Sequence, residues 1–412
     1  MKACVFTLGC KVNSCESSSL MRGLSELGYT VSGKLCRADL YIINTCAVTK
    51  EAEKKSRQAI ARAKKYSPDA KIIVTGCASQ KSPESFLNKD GVYLVTGAIN
   101  KDKIIDILDQ NGVFIDDSKE YYRRFYPLEV EKVRYYLKIQ DGCDNFCSYC
   151  IIPYLRGRSR SRDIADVISE LDGVTASEVV VTGINLSAYS YEGKKLPDLI
   201  SALKKYRFRI RLGSLEDNVV SNELVSALKS LYDFAPHFHL SLQSGSDDVL
   251  KKMNRHYTTE AFADSVELIR RNFPDAAVTT DVIVGYPVET DEDFEKTYDF
   301  CKKIAFSDIH CFEYSPREGT VGYKLKQLAP DVKKRRLDRL IGLKYELKKA
   351  YIEKYVGKSL SFIVEELKNG YSVGYSANYI RVYVSGRLPV GEKIDVLIKS
   401  SFEDGAIAEI VK

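Results

Sequence analysis

Twice along the chain, short apolar runs alternate with amphipathic stretches of helical length, and that alternation leaves few folds open. The first series fills the opening hundred residues. Ala3 to Leu8, Leu40 to Asn44, Lys71 to Val74 and the weaker Val92 to Val95 read as strands, with helices over Ser14 to Leu27 and about Glu51 to Lys65. Such a series predicts a parallel sheet covered by helices. The second begins near Tyr135, with strands expected at Tyr135 to Ile139, Glu178 to Val181, Arg209 to Leu212, His237 to Leu242, Val278 to Val284 and Asp308 to Glu313. Helices fall between them, for example at Asp163 to Leu171, Thr259 to Asn272 and Asp291 to Ile304. Six such units suit an incomplete barrel better than a closed eightfold one. From about Gly357 the pattern turns to short strands and turns, as in a small barrel or sandwich.

The expected class is therefore α/β. It comprises an N-terminal parallel α/β domain (1–115), a charged aromatic linker (116–131), a central partial (β/α)6 barrel (132–330), a basic helix (331–354) and a small all-β unit (355–412). A length of 412 residues fits such a multidomain reading. No run approaches the roughly 20 apolar residues of a membrane span. The opening MKACVFTLGC shows neither a charged leader nor a cleavage site, so the expected location is cytoplasmic, with no membrane partner.

In a reducing compartment, the chain's 11 cysteines point to metal or redox chemistry rather than disulfides. GCDNFCSYC, Gly142 to Cys150, sets Cys143, Cys147 and Cys150 in a C-x3-C-x2-C spacing after the first strand of the second series. Three thiolates so placed can hold three irons of a 4Fe–4S cluster and leave the fourth open to an outside ligand. Zinc would want a fourth Cys or His nearby, and the first histidine is His237. Cys10, Cys46 and Cys77 each follow a strand of the first series, so one sheet edge can gather them. Zinc or a cluster would satisfy that set, and spacing does not choose. Cys4, Cys15, Cys36, Cys301 and Cys311 are expected to be ordinary buried thiols.

The Cys143 spacing followed by six βα units resembles the radical SAM superfamily, in which the open iron is chelated by S-adenosylmethionine (SAM) and a 5′-deoxyadenosyl radical is released. TLGCKVN, NTCAVT, TGCASQ, IIPYLRGRSRSR, HLSLQSGSDDVLKKMNR and YSPREGT resemble the methylthiotransferase branch of that superfamily, and the C-terminal strands its TRAM barrel, which binds RNA. The resemblance implies two 4Fe–4S clusters, the second on Cys10, Cys46 and Cys77, and two SAM molecules. One SAM methylates a sulfur held on the second cluster, and the other yields the radical. Candidate SAM contacts at the barrel mouth are Tyr149, Thr182, Gly183, Ser214, Glu216, Gln243 with Gly245, and Asp281. Gly9-Cys10-Lys11-Val12-Asn13 is typical of the branch acting on N6-threonylcarbamoyladenosine at tRNA position 37. The alternatives are isopentenyladenosine in tRNA and an aspartate of a ribosomal protein. An electron carrier and a zinc-bearing RNA module are the readings from other classes. The enzyme reading implies a tRNA anticodon loop, a reduced flavodoxin- or ferredoxin-like donor, and a monomer.

Net charge is +6, and Lys324 to Lys354 alone holds eleven basic and four acidic residues. Lys333, Lys334, Arg335 and Arg336 are the expected RNA contacts, since residues 355–412 carry seven charges of each sign. Arg158 and Arg160 are candidates for SAM or phosphate. Val288 in GYPVET replaces a glycine of the family pattern and brings that loop's geometry into question.

Overall fold

The computed structural model describes residues 1–116, 125–128 and 133–411; most of the expected linker lies outside them. The N-terminal sheet contains β1 (Lys2–Thr7), β2 (Thr30–Ser32), β3 (Leu40–Thr45), β4 (Lys71–Gly76), β5 (Val92–Thr96) and β6 (Gly112–Phe114), in the order β2-β1-β3-β4-β5-β6 and parallel throughout. Every residue of β3 is buried, as a strand covered on both faces requires. Helix α1 (Lys11–Glu26) starts three residues earlier than expected, because Gly9 turns the chain from strand to helix and Cys10 becomes the N-cap. Thr49 caps α2 (Lys50–Tyr66) by accepting from the Ala52 N–H, with Glu51 and Glu53 in the first turn and Lys64 and Lys65 in the last. Strands β2 and β6, three residues each, are too short to show a sequence period.

The central unit has the six expected strands: β7 (Arg134–Lys138), β8 (Glu178–Thr182), β9 (Arg209–Leu212, continued by Ser214–Leu215), β10 (His237–Leu240), β11 (Ala277–Val284) and β12 (Asp308–Glu313). Neighbours pair in parallel from β7 to β12, with the ladder interrupted at Gly213, where β9 leaves β8 and its continuation meets β10. Period-two alternation sorts the side chains. Leu137, Val179, Val181, Ile210, Leu212, Phe238, Leu240, Val278 and Val282 join the buried core. The intervening positions, among them Glu178, Arg211, His239, Thr279, Asp281 and His310, make a polar lumen. Helices α3 (Thr259–Asn272), α4 (Asp291–Ile304) and α5 (Pro330–Glu353) stand outside. Leu340, Leu343 and Leu347 seat α5 on the same core.

Strands β13 (Ser359–Lys368), β14 (Tyr371–Ser376), β15 (Arg381–Ser385), β16 (Lys393–Phe402) and β17 (Gly405–Ile410) close a barrel in the order β13-β14-β15-β17-β16. Its β14–β15 turn plugs the lumen floor. Tyr379, at φ +65°, stacks on His237 with ring centroids 4.0 Å apart, and Arg211 donates to the Ala377 carbonyl at 3.2 Å. Arg134 adds an ion pair to Glu365 at 2.6 Å.

Candidate active site

Cys10, Cys46 and Cys77 lie just beyond β1, β3 and β4, which are neighbours in the sheet. Glycines make two of these turns possible. Gly9 and Gly76 have φ of +101° and +109°, and a Cβ on Gly76 would stand 2.4 Å from the Thr45 carbonyl oxygen. Cys46 and Cys77 are buried, whereas Cys10 is exposed at the rim. Burial first, then proximity to Cys77 and Cys10, pushes the Cys46 thiol up to about 11. A metal centre bound there would supply the positive charge such thiols need to ionise.

The second set sits in the loop after β7. Cys150 donates its N–H to the Cys147 carbonyl at 2.9 Å, and Ser148 donates its own to the Met253 carbonyl at 3.0 Å. Two donors aim at sulfur: Arg255 Nη1 lies 3.4 Å from Cys147 Sγ, and Asn185 Nδ2 lies 3.9 Å from Cys143 Sγ. Glu216 organises both, taking Arg255 at 2.7 Å, Asn185 at 3.1 Å and Asn145 at 2.7 Å. Donors directed at thiolate sulfur suit a cluster. A cavity of about 160 Å³ is lined by all three cysteines with Tyr149, Asn185, Ser214, Glu216, Gln243 and Arg255, among others.

Four proposed SAM residues therefore meet at the cysteines: Tyr149, Ser214, Glu216 and Gln243. Thr182 and Gly183 do not line this cavity. Thr182 accepts the Ile139 N–H through its carbonyl, and Gly183 packs on Gln140. Gly245 likewise is turned away, its N–H donating to Thr297. Asp281 stands lower in the lumen and accepts from His239 at 3.2 Å and His310 at 3.1 Å.

A second cavity, about 220 Å³, shares Tyr149, Cys150 and Gln243 with the first. Cys150, Tyr149 and Ile151 line it from one side, Val48 and Thr49 from the other, with Gln243, Asp281, Phe312, Tyr314 and Arg317 among its walls. Arg317 pairs with Glu53 at 2.9 Å. Arg317 belongs to YSPREGT, and Asn185 and Arg255 stand in loops of the barrel mouth. Their roles depend on which loops converge, which no local pattern states.

A buried charge network joins the domains behind this cavity. Glu16 of α1 accepts from Lys101, Lys138 and Arg156, and Asp141 accepts from Lys138 at 2.6 Å and Arg156 at 2.9 Å. Asn13 adds a bond from Arg156 at 2.8 Å. Two arginines in IIPYLRGRSRSR thus carry structure: Arg156, which is 0% exposed, and Arg162, buried against Glu170 and donating to the Lys138 carbonyl at 2.9 Å. Arg160 is half-buried, 3.8 Å from Asp141, while exposed Arg158 pairs with Asp144 at 3.2 Å.

The basic run needs correction. Lys333 and Arg336 are buried. Lys333 lies against Gly285 with its ammonium 5.7 Å from the Tyr314 ring centroid, and Arg336 pairs with Glu289 at 2.7 Å and Asp291 at 2.8 Å. On a helix, neighbours in sequence point in different directions, so a continuous run cannot present one face. Lys334 and Arg335 remain outward. Val288 takes an ordinary negative φ and packs beside Tyr286 and Tyr314, so the loop needs no glycine there. Of the five other cysteines, Cys4, Cys15 and Cys301 are buried, and Cys36 and Cys311 are half-buried.

Residues 137–301 match the model of the Radical SAM superfamily, and residues 2–97 that of Uncharacterized protein family UPF0004. The threonylcarbamoyladenosine tRNA methylthiotransferase MtaB of Bacillus subtilis is 37% identical, covering 98% of this chain and 96% of that one. This chain belongs to the MtaB-type radical SAM methylthiotransferases. The Thermotoga maritima MtaB is also 37% identical, over 98% and 95% of the two chains. The tRNA-2-methylthio-N(6)-dimethylallyladenosine synthase of Thermodesulfovibrio yellowstonii is 32% identical, over 98% and 97%. Among solved structures, the radical SAM methyltransferase TsrM from Kitasatospora setae aligns with a TM-score of 0.55 at 13% identity, covering 78% of this chain and 74% of that one. That likeness concerns fold. Membership makes the chain an enzyme that transfers methylthio groups, with 4Fe–4S and SAM as the family's cofactors. Among the described residues, no helix of this methylthiotransferase is long and apolar enough to cross a membrane.

Proposed function

We propose that the enzyme replaces the C2 hydrogen of N6-threonylcarbamoyladenosine at tRNA position 37 with a methylthio group, using two 4Fe–4S clusters held by Cys143, Cys147, Cys150 and by Cys10, Cys46, Cys77. The cavity that reaches from Cys150 to Val48 and Thr49, two and three residues past Cys46, carries this reading. When bound, the first cluster with SAM supplies the radical that removes hydrogen, and the second supplies the sulfur. The protein's part is placement. Tyr149, Ser214, Glu216 and Gln243 surround SAM, while Arg255 and Asn185 hold the cysteine sulfurs. Phe312, 43% exposed at the cavity, offers a ring on which a splayed base stacks. Bringing base and both centres into one enclosure converts an encounter into an intramolecular step. The enzyme acts in the cytoplasm as a monomer, with electrons from a reduced flavodoxin- or ferredoxin-like donor.

Replacing Cys10, Cys46 and Cys77 with Ala tests the division of labour. The variant should still form 5′-deoxyadenosine under strong reductant, hold about four irons instead of about eight, and yield no methylthiolated nucleoside. Methylthiolated tRNA from that variant would refute the assignment. Mass spectrometry of tRNA nucleosides from a deletion strain tests the substrate: loss of a methylthiolated isopentenyladenosine instead would favour the alternative.

A further inference from the structure

A tRNA presents a phosphate backbone as well as a nucleotide, and phosphates are held by cations that the protein itself leaves unpaired. The helix that reads as basic in sequence, α5, neutralises much of its own charge. Arg335 stands 3.8 Å from Asp291, Lys344 and Lys348 take Asp308 at 3.5 and 2.9 Å, and Lys349 takes Glu353 at 3.9 Å. Helix α2 differs. It carries seven cations and two carboxylates. Lys64 reaches Asp90 at 3.7 Å, while Lys50, Lys54, Lys55, Arg57, Arg62 and Lys65 are exposed. Among the described residues, none of those six has an ion-pair partner. Ser56, Ala59, Ile60 and Ala63 form the buried side, so at 3.6 residues per turn the six cations spread over roughly the opposite half of the helix. Stability does not ask for this pattern. Lys50 and Lys54, Lys54 and Arg57, and Arg62 and Lys65 are like charges one turn apart, and Lys50 sits at the helix start, where the macrodipole disfavours a cation.

The same helix begins at the cavity. Val48 and Thr49, which line it, lead directly into α2, and Thr49 is the N-cap. One turn in, Glu53 takes Arg317 from the cavity wall at 2.9 Å, and Ser56 accepts the Cys46 N–H at 3.4 Å. From that anchored end the helix runs for about 25 Å at 1.5 Å per residue. We propose that the outward face of α2 binds the tRNA phosphate backbone beside the modified nucleotide, so that the N-terminal domain takes part in gripping the RNA. This rests on the tRNA reading above. An acidic electron-donor protein is the other polyanion such a face could attract. Between Lys50 and Lys65, however, Ala61 is the only apolar residue that is exposed, which leaves a protein partner little to bury. The helix also packs behind Cys46, whereas the electron is needed at Cys143, Cys147 and Cys150.

Two quadruple variants of the reconstituted enzyme test this with full-length tRNA bearing N6-threonylcarbamoyladenosine. One carries Lys54→Gln, Lys55→Gln, Arg57→Gln and Arg62→Gln. The other carries Lys204→Gln, Lys296→Gln, Lys302→Gln and Lys303→Gln at exposed positions of the barrel domain, so both lose the same charge. In the α2 variant alone, the slope of log affinity against log salt should flatten by roughly 0.7–0.9 for each phosphate released, about 3 in all. Its KM for tRNA should rise by about tenfold or more with kcat little changed, as when uniform binding is lost. Iron content and tRNA-independent 5′-deoxyadenosine formation equal to wild type show that the Cys46 site behind the helix is intact. Equal flattening in both variants overturns the inference, since total charge rather than α2 then sets the affinity. So does an α2 variant with the wild-type slope, or one that binds tRNA normally but is reduced more slowly by an acidic flavin or iron–sulfur protein. A wild type that neither binds nor methylthiolates this tRNA would overturn the substrate reading together with this one.

Discussion

At the scale of single residues, the spacing of the cysteines was legible and the groups around them were not. The spacing of Cys143, Cys147 and Cys150 is local, whereas Arg255 and Asn185 reach the sulfurs from loops 108 and 42 residues away in sequence. Arg255→Lys keeps a cation but loses the planar guanidinium whose Nη1 reaches both Cys147 and Glu216. Expected is full iron loading with a shifted cluster reduction potential and slower 5′-deoxyadenosine formation, read by electrochemistry and chromatography. Gly76 makes a sharper case. A methyl group there meets the Thr45 carbonyl at a φ that side chains rarely adopt, so Gly76→Ala should destabilise the N-terminal domain by about 1–3 kcal/mol. Iron should fall toward the content of the Cys10, Cys46, Cys77 triple variant, while 5′-deoxyadenosine formation persists. Iron analysis alongside thermal unfolding checks both parts.

Among the elements, the strands of the central unit match their expected ranges within two residues because each is an apolar or alternating run of four or more residues. The small edge strands β2 and β6 gave no such period. The basic run in α5 failed for the converse reason: net charge over a window ignores which side of the helix each residue occupies. Lys334→Gln with Arg335→Gln should flatten the slope of log tRNA affinity against log salt, by roughly 0.7–0.9 for each phosphate left without its cation. Lys333→Gln with Arg336→Gln should leave that slope unchanged and lower the melting temperature, since removing the Arg336 guanidinium leaves buried Glu289 unpaired. Filter binding over a salt series, with calorimetry of the same proteins, separates the two pairs.

For the molecule as a whole, domain order was readable from the pattern of elements, but domain docking was not, because Glu16, Lys101, Asp141 and Arg156 come from four separate segments. Removing one carboxylate from that network leaves buried cations uncompensated, so Glu16→Gln should cost about 3–5 kcal/mol by chemical denaturation. The nearby cations hold Asp141 down to about 2 and Glu16 well below the usual carboxylate range, although burial opposes both shifts. Folded values below unfolded ones mean that the stabilisation is complete above about pH 5 and fades as pH falls toward 2. The difference between wild type and Glu16→Gln should therefore stay constant from pH 6 to 8. A salt titration at neutral pH should also barely change it, since the ions are buried.

That clasp and the Tyr379 plug at the other end of the lumen tie three domains to one another. On the proposed two-cluster reading, these contacts rather than the RNA hold the spacing of the two cysteine edges. Travel is left to the cargo. A base must be flipped far enough to reach both stations from a single berth, and a substituent too long or too short for the lumen misplaces C2 however tightly the RNA is gripped. Selection of the nucleotide then becomes a matter of length, measured between the contacts that tie the domains.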